Sequence, residues 1–527
     1  MNVEAFALTF MLNERVMMKK FRFVLMAMAS LSLAACQAEK DPATLVPEIN
    51  EVGAVCLPAE IAPIQAPFDM PQLKAPTFPA RSINLKDLNL DASQLVTKDI
   101  QAAIDELSAK GGGKLIVPQG IWKSGRIHLK SNVNLHLEEG AEIHFSGDIK
   151  DYLPAVFTRC EGVEVYSMGA CIYAYQQENI ALTGKGKIVG PERDCEILRS
   201  ENKGNVIEKL IDAESPVESR VYDNQQGQGV FLPTFVSPTD CKNVLIEGIT
   251  LERTPMWNVV PVYCDGVIIR GITVRSVGIP RGDGIDIEST RNVLIEYCTL
   301  SCGDDCFTMK AGRAEDGLRV NKPTENVVVR YCLAQQGHGG ITCGSETAGV
   351  IRNLYLHDCV FDGTGSGIRF KTRRNRGGGG ENITYERVRM ILRGDAFNWD
   401  MLGSKMYVGE LAQRFPALEM TPLTPFYRNI VARDIYVESC KYFFKAKGIP
   451  ESPLSDVRIE NVRVDQSQRL ISLYDVDNIS LKNVEVHSPD TVVEINNGKR
   501  VKFIKTKINH EEGKKTHYEL KDAQLDL

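Results

Sequence analysis

The stretch Asn292-Val-Leu-Ile-Glu-Tyr-Cys298 decides the fold, because its pattern returns at Asn326-Val-Val-Val-Arg-Tyr-Cys332 and Asn353-Leu-Tyr-Leu-His-Asp-Cys359. In each copy an Asn opens the pattern, apolar residues follow one and three places later, and a Cys stands six places later. The alternation of buried-type and outward-type positions with period two indicates a strand. We call each copy of this pattern a frame. Six further frames place apolar residues at the same positions, and they begin at Asn243, Gly266, Asn382, Asn429, Asp456 and Asn478.

The spacing of these nine frames predicts how the strands are joined. Successive frames lie 22 to 34 residues apart, except for the step of 47 from Asn382 to Asn429. A short strand at this spacing suits a coil that stacks on its neighbour, and an opening Asn suits a turn with positive φ and a ladder of side-chain amides. The sequence therefore predicts an all-β chain folded as a single-stranded, right-handed parallel β-helix.

A helix precedes the first strand-like run. Ile100, Ile104 and Leu107 share one helical face after Thr97, and the run Gly111–Gly113 ends the pattern. We expect this short helix to cap the first coil of the β-helix.

The N-terminal region carries an export signal. Met17–Cys36 has the form of a signal peptide. Positively charged residues come first, an apolar stretch follows, and small residues precede Cys36. Leu33-Ala-Ala-Cys36 resembles the lipobox of bacterial lipoproteins, which implies lipidation of Cys36 and anchoring in the outer membrane; the alternative is an ordinary signal peptide. Residues 1–16 are interpreted as the product of an upstream start codon. The predicted organisation is 1–36 signal, 37–79 Pro/Ala-rich tether and 80–527 catalytic β-helix.

Composition excludes several classes of function. The 527 residues are 43% hydrophobic with a formal charge of −6, which fits neither a disordered chain nor a nucleic-acid binder. No other run of 18 apolar residues occurs, so a lipid anchor is the only membrane contact expected, and we expect a monomer. The repeat gives Cys298, Cys332 and Cys359 one core position. The spacing of Cys298, Cys302 and Cys306 is not expected to bind a metal, and neither a metal nor a cofactor is predicted.

Polar residues with catalytic potential cluster in the middle coils. Asp283, the pair Asp304-Asp305, His338, and the pair Arg369 and Lys371 follow one another at about one coil each. Because stacked coils lie about 4.8 Å apart, these groups are expected to form one exposed stripe. Solvated turn residues are the alternative, but three crowded carboxylates are mutually destabilising, which favours a functional site.

These motifs resemble family 28 of the glycoside hydrolases, the polygalacturonases. The family's NTD, DD, GHG and RIK motifs correspond here to Arg281-Gly-Asp283, Asp304-Asp305, Gly337-His-Gly339 and Arg369-Phe-Lys371. The resemblance covers roughly residues 80–486. It departs from the family pattern where Arg281 and Gly282 replace Asn and Thr, and where Phe370 replaces Ile.

The resemblance implies hydrolysis of α-1,4-galacturonosidic bonds in pectin with inversion of configuration. It implies that Asp305 is the general acid, that Asp283 and Asp304 activate water, and that His338 tunes the acid. An inverting pair is expected to stand about 6.5–9.5 Å apart. Arg369 and Lys371 face the same way on their strand and are expected to clamp a uronate carboxylate.

Some positions and activities keep alternatives. Arg281 is expected either to bind a carboxylate at a neighbouring subsite or to pair with Asp283 or Asp286. Trp257 is a candidate for stacking on a sugar ring, with burial in the core as the alternative. The alternative functions are hydrolysis of rhamnogalacturonan or another uronate glycan, a Ca²⁺-dependent polysaccharide lyase, and a non-catalytic glycan-binding β-helix.

Overall fold

The computed structural model describes residues 40–91, 93–202, 206–212 and 215–527. The predicted signal peptide, residues 1–16 and the lipidation candidate Cys36 lie outside the described residues. Within the described part, no helix combines the length and the apolar character needed to cross a bilayer.

The body of the molecule is a parallel β-helix, and the predicted register is confirmed. At the second position of the frames, the strand pairings join Val244 to Val267, Val267 to Val293 and Val293 to Val327. The same column continues without a shift through Leu354, Ile383, Ile430, Val457 and Ile479. The repeat in the sequence is therefore the repeat of the coils.

The strands are short in the early coils and fuse around corners in the later ones. Up to residue 330 they are Ser82–Asn84, Gly113–Val117, Gly120–Ser124, Ile127–His128, Val133–Leu137, Ala141–Phe145, Val156–Cys160, Val163–Ser167, Ala170–Tyr175, Glu178–Gly184, Lys187–Val189, Thr234–Thr239, Lys242–Glu247, Thr250–Glu252, Asp265–Arg270, Thr273–Arg275, Ile285–Glu288, Arg291–Glu296, Thr299–Ser301, Phe307–Lys310 and Thr324–Arg330. The later strands are Leu333–Cys343, Ile351–Asp362, Thr364–Lys371, Gly379–Ile391, Asp395–Asp400, Phe426–Lys447, Leu454–Val464, Ser467–His487, Val492–Lys499, Val501–Ile504, Lys507–Asn509, His517–Lys521 and Leu525–Asp526.

Helices lie at the ends of the molecule and in insertions between strands. The α-helices are Thr97–Ala109, Glu196–Arg199, Val206–Asp212, Ala314–Val320 and Lys405–Val408. The 3₁₀ helices are Pro42–Thr44, Ile49–Glu51, Ala54–Cys56, Leu85–Leu88, Ile149–Tyr152, Val217–Ser219 and Gly409–Ala412.

Stacked identical positions hold neighbouring coils in register. Asn326 donates its side-chain amide hydrogen to Asn292 at 3.1 Å, and Asn353 donates to Asn326 at 3.0 Å. Each of these Asn residues has positive φ, as the turn requires. Cys332 lies fully buried between Cys298 and Cys359, and its thiol accepts a hydrogen bond from the amide of Cys298. The predicted ladder and the predicted cysteine column are both present.

The predicted N-terminal helix forms at Thr97–Ala109. Ile100, Ala103, Ile104 and Leu107 are buried on one face, which packs against the strands that follow the helix. An amphipathic helix of this kind is stabilised mainly by the apolar surface that it covers.

The segment interpreted as a tether packs against the β-helix from residue 41 onward, so that interpretation is corrected. Arg330 donates to the carbonyl of Ala62 at 2.8 Å, and Arg270 donates to that of Pro58 at 2.7 Å. Ile64 is buried against Leu294 and neighbouring outward-facing residues. This segment covers apolar side chains that the outer face of the strands would otherwise expose to water.

One of the sheets carries the candidate site, and we call it the site sheet. Its strands include Ile285–Glu288, Phe307–Lys310, the end of Leu333–Cys343, Thr364–Lys371 and Asp395–Asp400. It continues through the end of Phe426–Lys447, the start of Ser467–His487, and Val492–Lys499.

Candidate active site

The three predicted aspartates converge at one point of the site sheet. One carboxylate oxygen from each of Asp283, Asp304 and Asp305 lies within 4.8 Å of the other two. Asp283 and Asp304 line a cleft of about 560 Å³, together with His338, Arg369 and Lys371. The stacking of successive coils therefore brings together the residues that the motif spacing predicted.

Asp305 is the buried member of the cluster. Its side chain has no exposed surface, and it accepts hydrogen bonds from Lys371 Nζ at 2.6 Å and from Arg369 Nη1 at 2.9 Å. Burial favours the neutral acid, but Lys371 and Arg369 outweigh burial and hold the pKa of Asp305 well below its ordinary value. Asp305 is therefore held as a carboxylate.

Asp304 is the member that solvent reaches, with a quarter of its side chain exposed. His338 Nδ1 lies 2.9 Å from Asp304 Oδ1, and the backbone amide of His338 donates to the Asp304 carbonyl. Burial raises the pKa of Asp304, but the hydrogen bond from His338 and the charges of Lys371 and His338 together outweigh burial and lower the pKa. The same hydrogen bond raises the pKa of His338. The two groups form a coupled acid–base pair at the cleft surface.

The glycine that follows His338 is needed for this packing. A Cβ atom on Gly339 would stand 2.8 Å from Asp305 Oδ1 and 2.4 Å from Thr342 Oγ1. A side chain at this position would collide with the Asp305 carboxylate, which explains the second Gly of the Gly-His-Gly motif.

Asp283 lies almost fully buried at the other edge of the cluster. Burial raises the pKa of Asp283 well above its ordinary value, and the charges of Asp286 and Asp304 raise it further. Asp283 therefore holds a proton more readily than Asp305 does. Burial and crowding therefore favour the protonated form at Asp283 and not at Asp305.

A buried charged layer beneath the cleft was missed by the motif analysis. Lys310 Nζ lies 3.1 Å from Glu346 and 3.7 Å from Asp286, and it stands over the ring of Trp257 at 4.5 Å. Burial raises the pKa of Asp286 to about 8, although Lys310 opposes this shift. Asp286 follows Asp283 by three residues, but Glu346 lies in the loop after the strand Leu333–Cys343, which has no repeated pattern.

Arg281 is tied to an insertion that borders the cleft. It pairs with Glu161 at 3.3 Å and with Glu201. Glu161 is at the tip of the hairpin Val156–Ser167, and Glu201 lies in the segment before the helix Val206–Asp212. We call this hairpin and this segment the wall. Pairing of Arg281 with Asp283 or Asp286, one of the two expected alternatives, is wrong because the wall supplies its partners.

The sequence and the fold both match known proteins. Residues 202–392 match the family model described as glycosyl hydrolases family 28. A hyperthermoactive exopolygalacturonase from Thermotoga maritima is 30% identical with a TM-score of 0.67, and the match covers 78% of this chain and 93% of that enzyme. This chain belongs to glycosyl hydrolase family 28.

Two further proteins are similar to this chain. A probable polygalacturonase from Vitis vinifera is 27% identical over 383 residues, which are 71% of this chain and 72% of the relative. The family 28 exopolygalacturonase of Yersinia enterocolitica shares the fold, with 20% identity, a TM-score of 0.59, and coverage of 85% of this chain and 78% of that one.

The geometry bears on two expectations that the family 28 motifs suggested. Asp305 is held as a carboxylate by its ion pairs with Arg369 and Lys371, so it carries no proton to donate; Asp304 is its exposed neighbour. The approach of the carboxylate oxygens within 4.8 Å is also closer than the roughly 6.5–9.5 Å expected of an inverting pair. The separation therefore gives no support to inversion, which stays a prediction from the resemblance.

Trp257, the candidate for sugar stacking, is buried, and so is Trp399. Trp257 is 4% exposed beneath Lys310, and Trp399 is 1% exposed and stacks on Phe370 in the core. Neither presents a free ring face for a sugar. Trp257 borders the cleft and supports Lys310 through a cation–π contact.

Proposed function

We propose that the protein is a polygalacturonase that hydrolyses α-1,4-galacturonosidic bonds in pectic chains. The observation that carries the proposal is the convergence of three carboxylates with two cations and an imidazole in one cleft of a family 28 fold. A galacturonate chain presents a carboxylate on every ring, and the cationic side of this cleft is complementary to it.

The geometry supports a division of roles among the aspartates. Asp304, exposed and hydrogen bonded to His338, is the proton donor to the leaving oxygen, and the pair holds the proton that is transferred. Asp305 is the base that takes a proton from the attacking water, because Lys371 and Arg369 keep it ionised. Asp283 faces the same space and orients that water.

Arg369 and Lys371 contact the proposed base and are also placed to bind the substrate. Each hydrogen bonds to Asp305 and each also lines the cleft, with about a quarter of its side chain exposed. Their remaining donors are available to the carboxylate of the ring beside the cleaved bond. This places the substrate charge against the two cations that control the base.

The direct test is the release of reducing ends from polygalacturonate, followed by identification of the first product. Hydrolysis yields a saturated product, and nuclear magnetic resonance of its first-formed anomer reads the stereochemistry. A β-anomer supports inversion of the α-bond, and an α-anomer contradicts it.

The same assay separates the other functions. A Ca²⁺-dependent lyase would give an unsaturated, ultraviolet-absorbing product and would lose activity with a chelator. A glycan-binding β-helix would release no reducing ends. Faster turnover of rhamnogalacturonan or another uronate glycan would assign the activity to that substrate.

We further propose that the protein is exported and held in the outer membrane by a lipid on Cys36, with residues 80–527 as the catalytic unit. The signal-like stretch Met17–Cys36 and its lipobox support this proposal. The helix Thr97–Ala109 is proposed to close the first coil. Replacing Cys36 with Ser is expected to move the enzyme from the membrane to the soluble fraction; unchanged fractionation would contradict lipidation.

A further inference from the structure

The outward positions of the site sheet form two columns that run beyond the catalytic coils. The first joins Arg369 to Asn398, Lys445 and Ser472 on successive coils. The second joins Lys371 to Asp400, Lys447 and Tyr474. Alternate residues between these positions, such as Phe370 and Phe444, are buried, so both columns face outward.

These columns change from buried to open at the catalytic site. On the earlier coils Asp286, Thr308 and Lys310 are buried. Beyond Arg369 and Lys371 the outward residues are partly exposed in every coil up to Ser472 and Tyr474. The wall, which forms ion pairs with Arg281, borders the cleft on the side of the earlier coils. A bound chain therefore finds open surface toward the later coils.

The open part of the columns is cationic. Lys441, Lys445 and Lys447 lie on one strand, and among the described residues none of their ammonium groups makes an ion pair. Burial raises the pKa of Asp395, and Lys445 and Lys441 lie near enough to oppose that rise. Lys445 Nζ also stands 5.6 Å from the ring centre of Tyr442.

Besides Asp395, two acids border this cationic stretch, and both accept hydrogen bonds. Asp400, between Lys371 and Lys447, accepts hydrogen bonds from the amides of Leu402 at 2.8 Å and Gly403 at 3.0 Å. Glu494, on the coil after Ser472, accepts from the hydroxyls of Ser472 and Tyr474. The lysines are thus the charged groups of this stretch with unused donors.

We propose that Lys445 and Lys447 form a second carboxylate-binding site for the substrate chain, two coils beyond Arg369 and Lys371. This inference rests on the proposed polygalacturonase activity. Two coils span about 10 Å, so these lysines meet a ring further along the chain and not the ring beside the cleaved bond. The occupant is a uronate polymer, because a repeated carboxylate matches cations repeated along the fold axis.

The test compares galacturonate oligomers of increasing length, from the dimer upward, with the double variant Lys445→Gln/Lys447→Gln. For long oligomers we expect KM to rise about threefold to tenfold, the effect of losing partly exposed ion pairs. The dimer is expected to keep its kcat/KM. The double Lys→Arg variant is expected to behave like the unaltered enzyme. Lys502→Gln, an exposed lysine on the strand Val501–Ile504 outside the site sheet, is the matched control.

Each outcome has a distinct reading. Absence of hydrolysis of every oligomer by the unaltered enzyme would overturn the proposed function itself. Normal hydrolysis with no loss in the variant, or an equal loss on the dimer and the long oligomers, would overturn the second site alone. If the double variant does not fold, the second site is tested with the single variant Lys447→Gln and with the salt dependence of KM. KM for long oligomers must rise more steeply with salt than KM for the dimer.

Discussion

Lys371 Nζ lies 2.6 Å from Oδ2 of Asp305 and donates a hydrogen bond to it. A lysine predicted from its motif to bind the substrate thus also lowers the pKa of Asp305, the proposed base. Arg369 does the same at the other oxygen, 2.9 Å away. Substrate recognition and the state of the base are therefore coupled through two side chains.

Replacing Lys371 with Met is expected to move the acid limb of the kcat/KM profile to higher pH. Lys371 is the leading cause that lowers the pKa of Asp305, so its loss raises that pKa and the base is protonated sooner as pH falls. Lys371→Arg keeps the charge and is expected to leave the limb near its original position. An unmoved acid limb in Lys371→Met would contradict the role of Asp305 as base.

The same ion pairs make stability depend on pH. The folded-state pKa of Asp305 is below that of an unfolded Asp, about 3.9, so the contribution is complete above that value and decreases as pH falls further. Between pH 6 and pH 2, the free energy of unfolding measured with denaturant is expected to fall less for Asp305→Asn than for the unaltered protein. An equal decrease of the unfolding free energy in both proteins would contradict a contribution of Asp305 to the pH dependence of stability.

Replacing His338 with Asn is expected to move the alkaline limb of the profile to lower pH. The proton of the Asp304–His338 pair is held above the ordinary His value, because the hydrogen bond at 2.9 Å raises the pKa of His338. Without the imidazole, Asp304 alone must hold the proton, and a carboxyl releases it at lower pH. If the alkaline limb stays in place, His338 does not share the transferred proton.

Much of this arrangement was predictable because the fold is a repeat. Nine frames in one phase predicted which residues stack, and motif steps of one coil predicted that Asp283, Asp304, Asp305 and His338 converge. The earlier frames at Asn132 and Asn179 were missed, although Asn179 donates to Asn132 at 3.1 Å. A step of 64 residues separates Asn179 from Asn243 and hides the period.

The parts that were missed depend on contacts without a period. The segment 41–78 binds in part through backbone carbonyls such as those of Pro58 and Ala62, which any residue can supply. The partners of Arg281 lie 120 and 80 residues away in insertions. The roles of Asp304 and Asp305 could not be separated, because both residues lie between the strands Thr299–Ser301 and Phe307–Lys310, where no strand alternation indicates which one is buried.

The cysteine column offers a test of the core. Cys332→Leu is expected to lower the free energy of unfolding by about 1–3 kcal/mol, because a larger side chain must fit between Cys298 and Cys359 at a fully buried position. Cys332→Val, closer in volume, should cost less. Urea unfolding of the two variants checks the order, and equal stability of both would contradict close packing at this column.

Arg281→Asn is expected to change substrate binding without moving the pH profile. Its partners are Glu161 and Glu201 of the wall, and it makes no ion pair with Asp283 or Asp286 among the described residues. Loss of these pairs should raise KM for polygalacturonate by about threefold to tenfold, the range expected of partly exposed ion pairs. Glu201→Gln should produce a change in the same direction. A shifted pH profile with unchanged KM would place Arg281 with the catalytic aspartates instead.

The assignment of the acid is tested by the leaving group. Asp304→Asn and Asp305→Asn are each expected to lower kcat on polygalacturonate by about 10²-fold or more, so that loss alone does not distinguish acid from base. An aryl galacturonide with an acidic phenol departs without protonation. Asp304→Asn should therefore recover most of its rate on that substrate, whereas Asp305→Asn should stay impaired because water still needs a base. Asp283→Asn should also stay impaired, since it orients the same water. Recovery by Asp305→Asn and not by Asp304→Asn would restore Asp305 as the acid, despite its burial between Arg369 and Lys371.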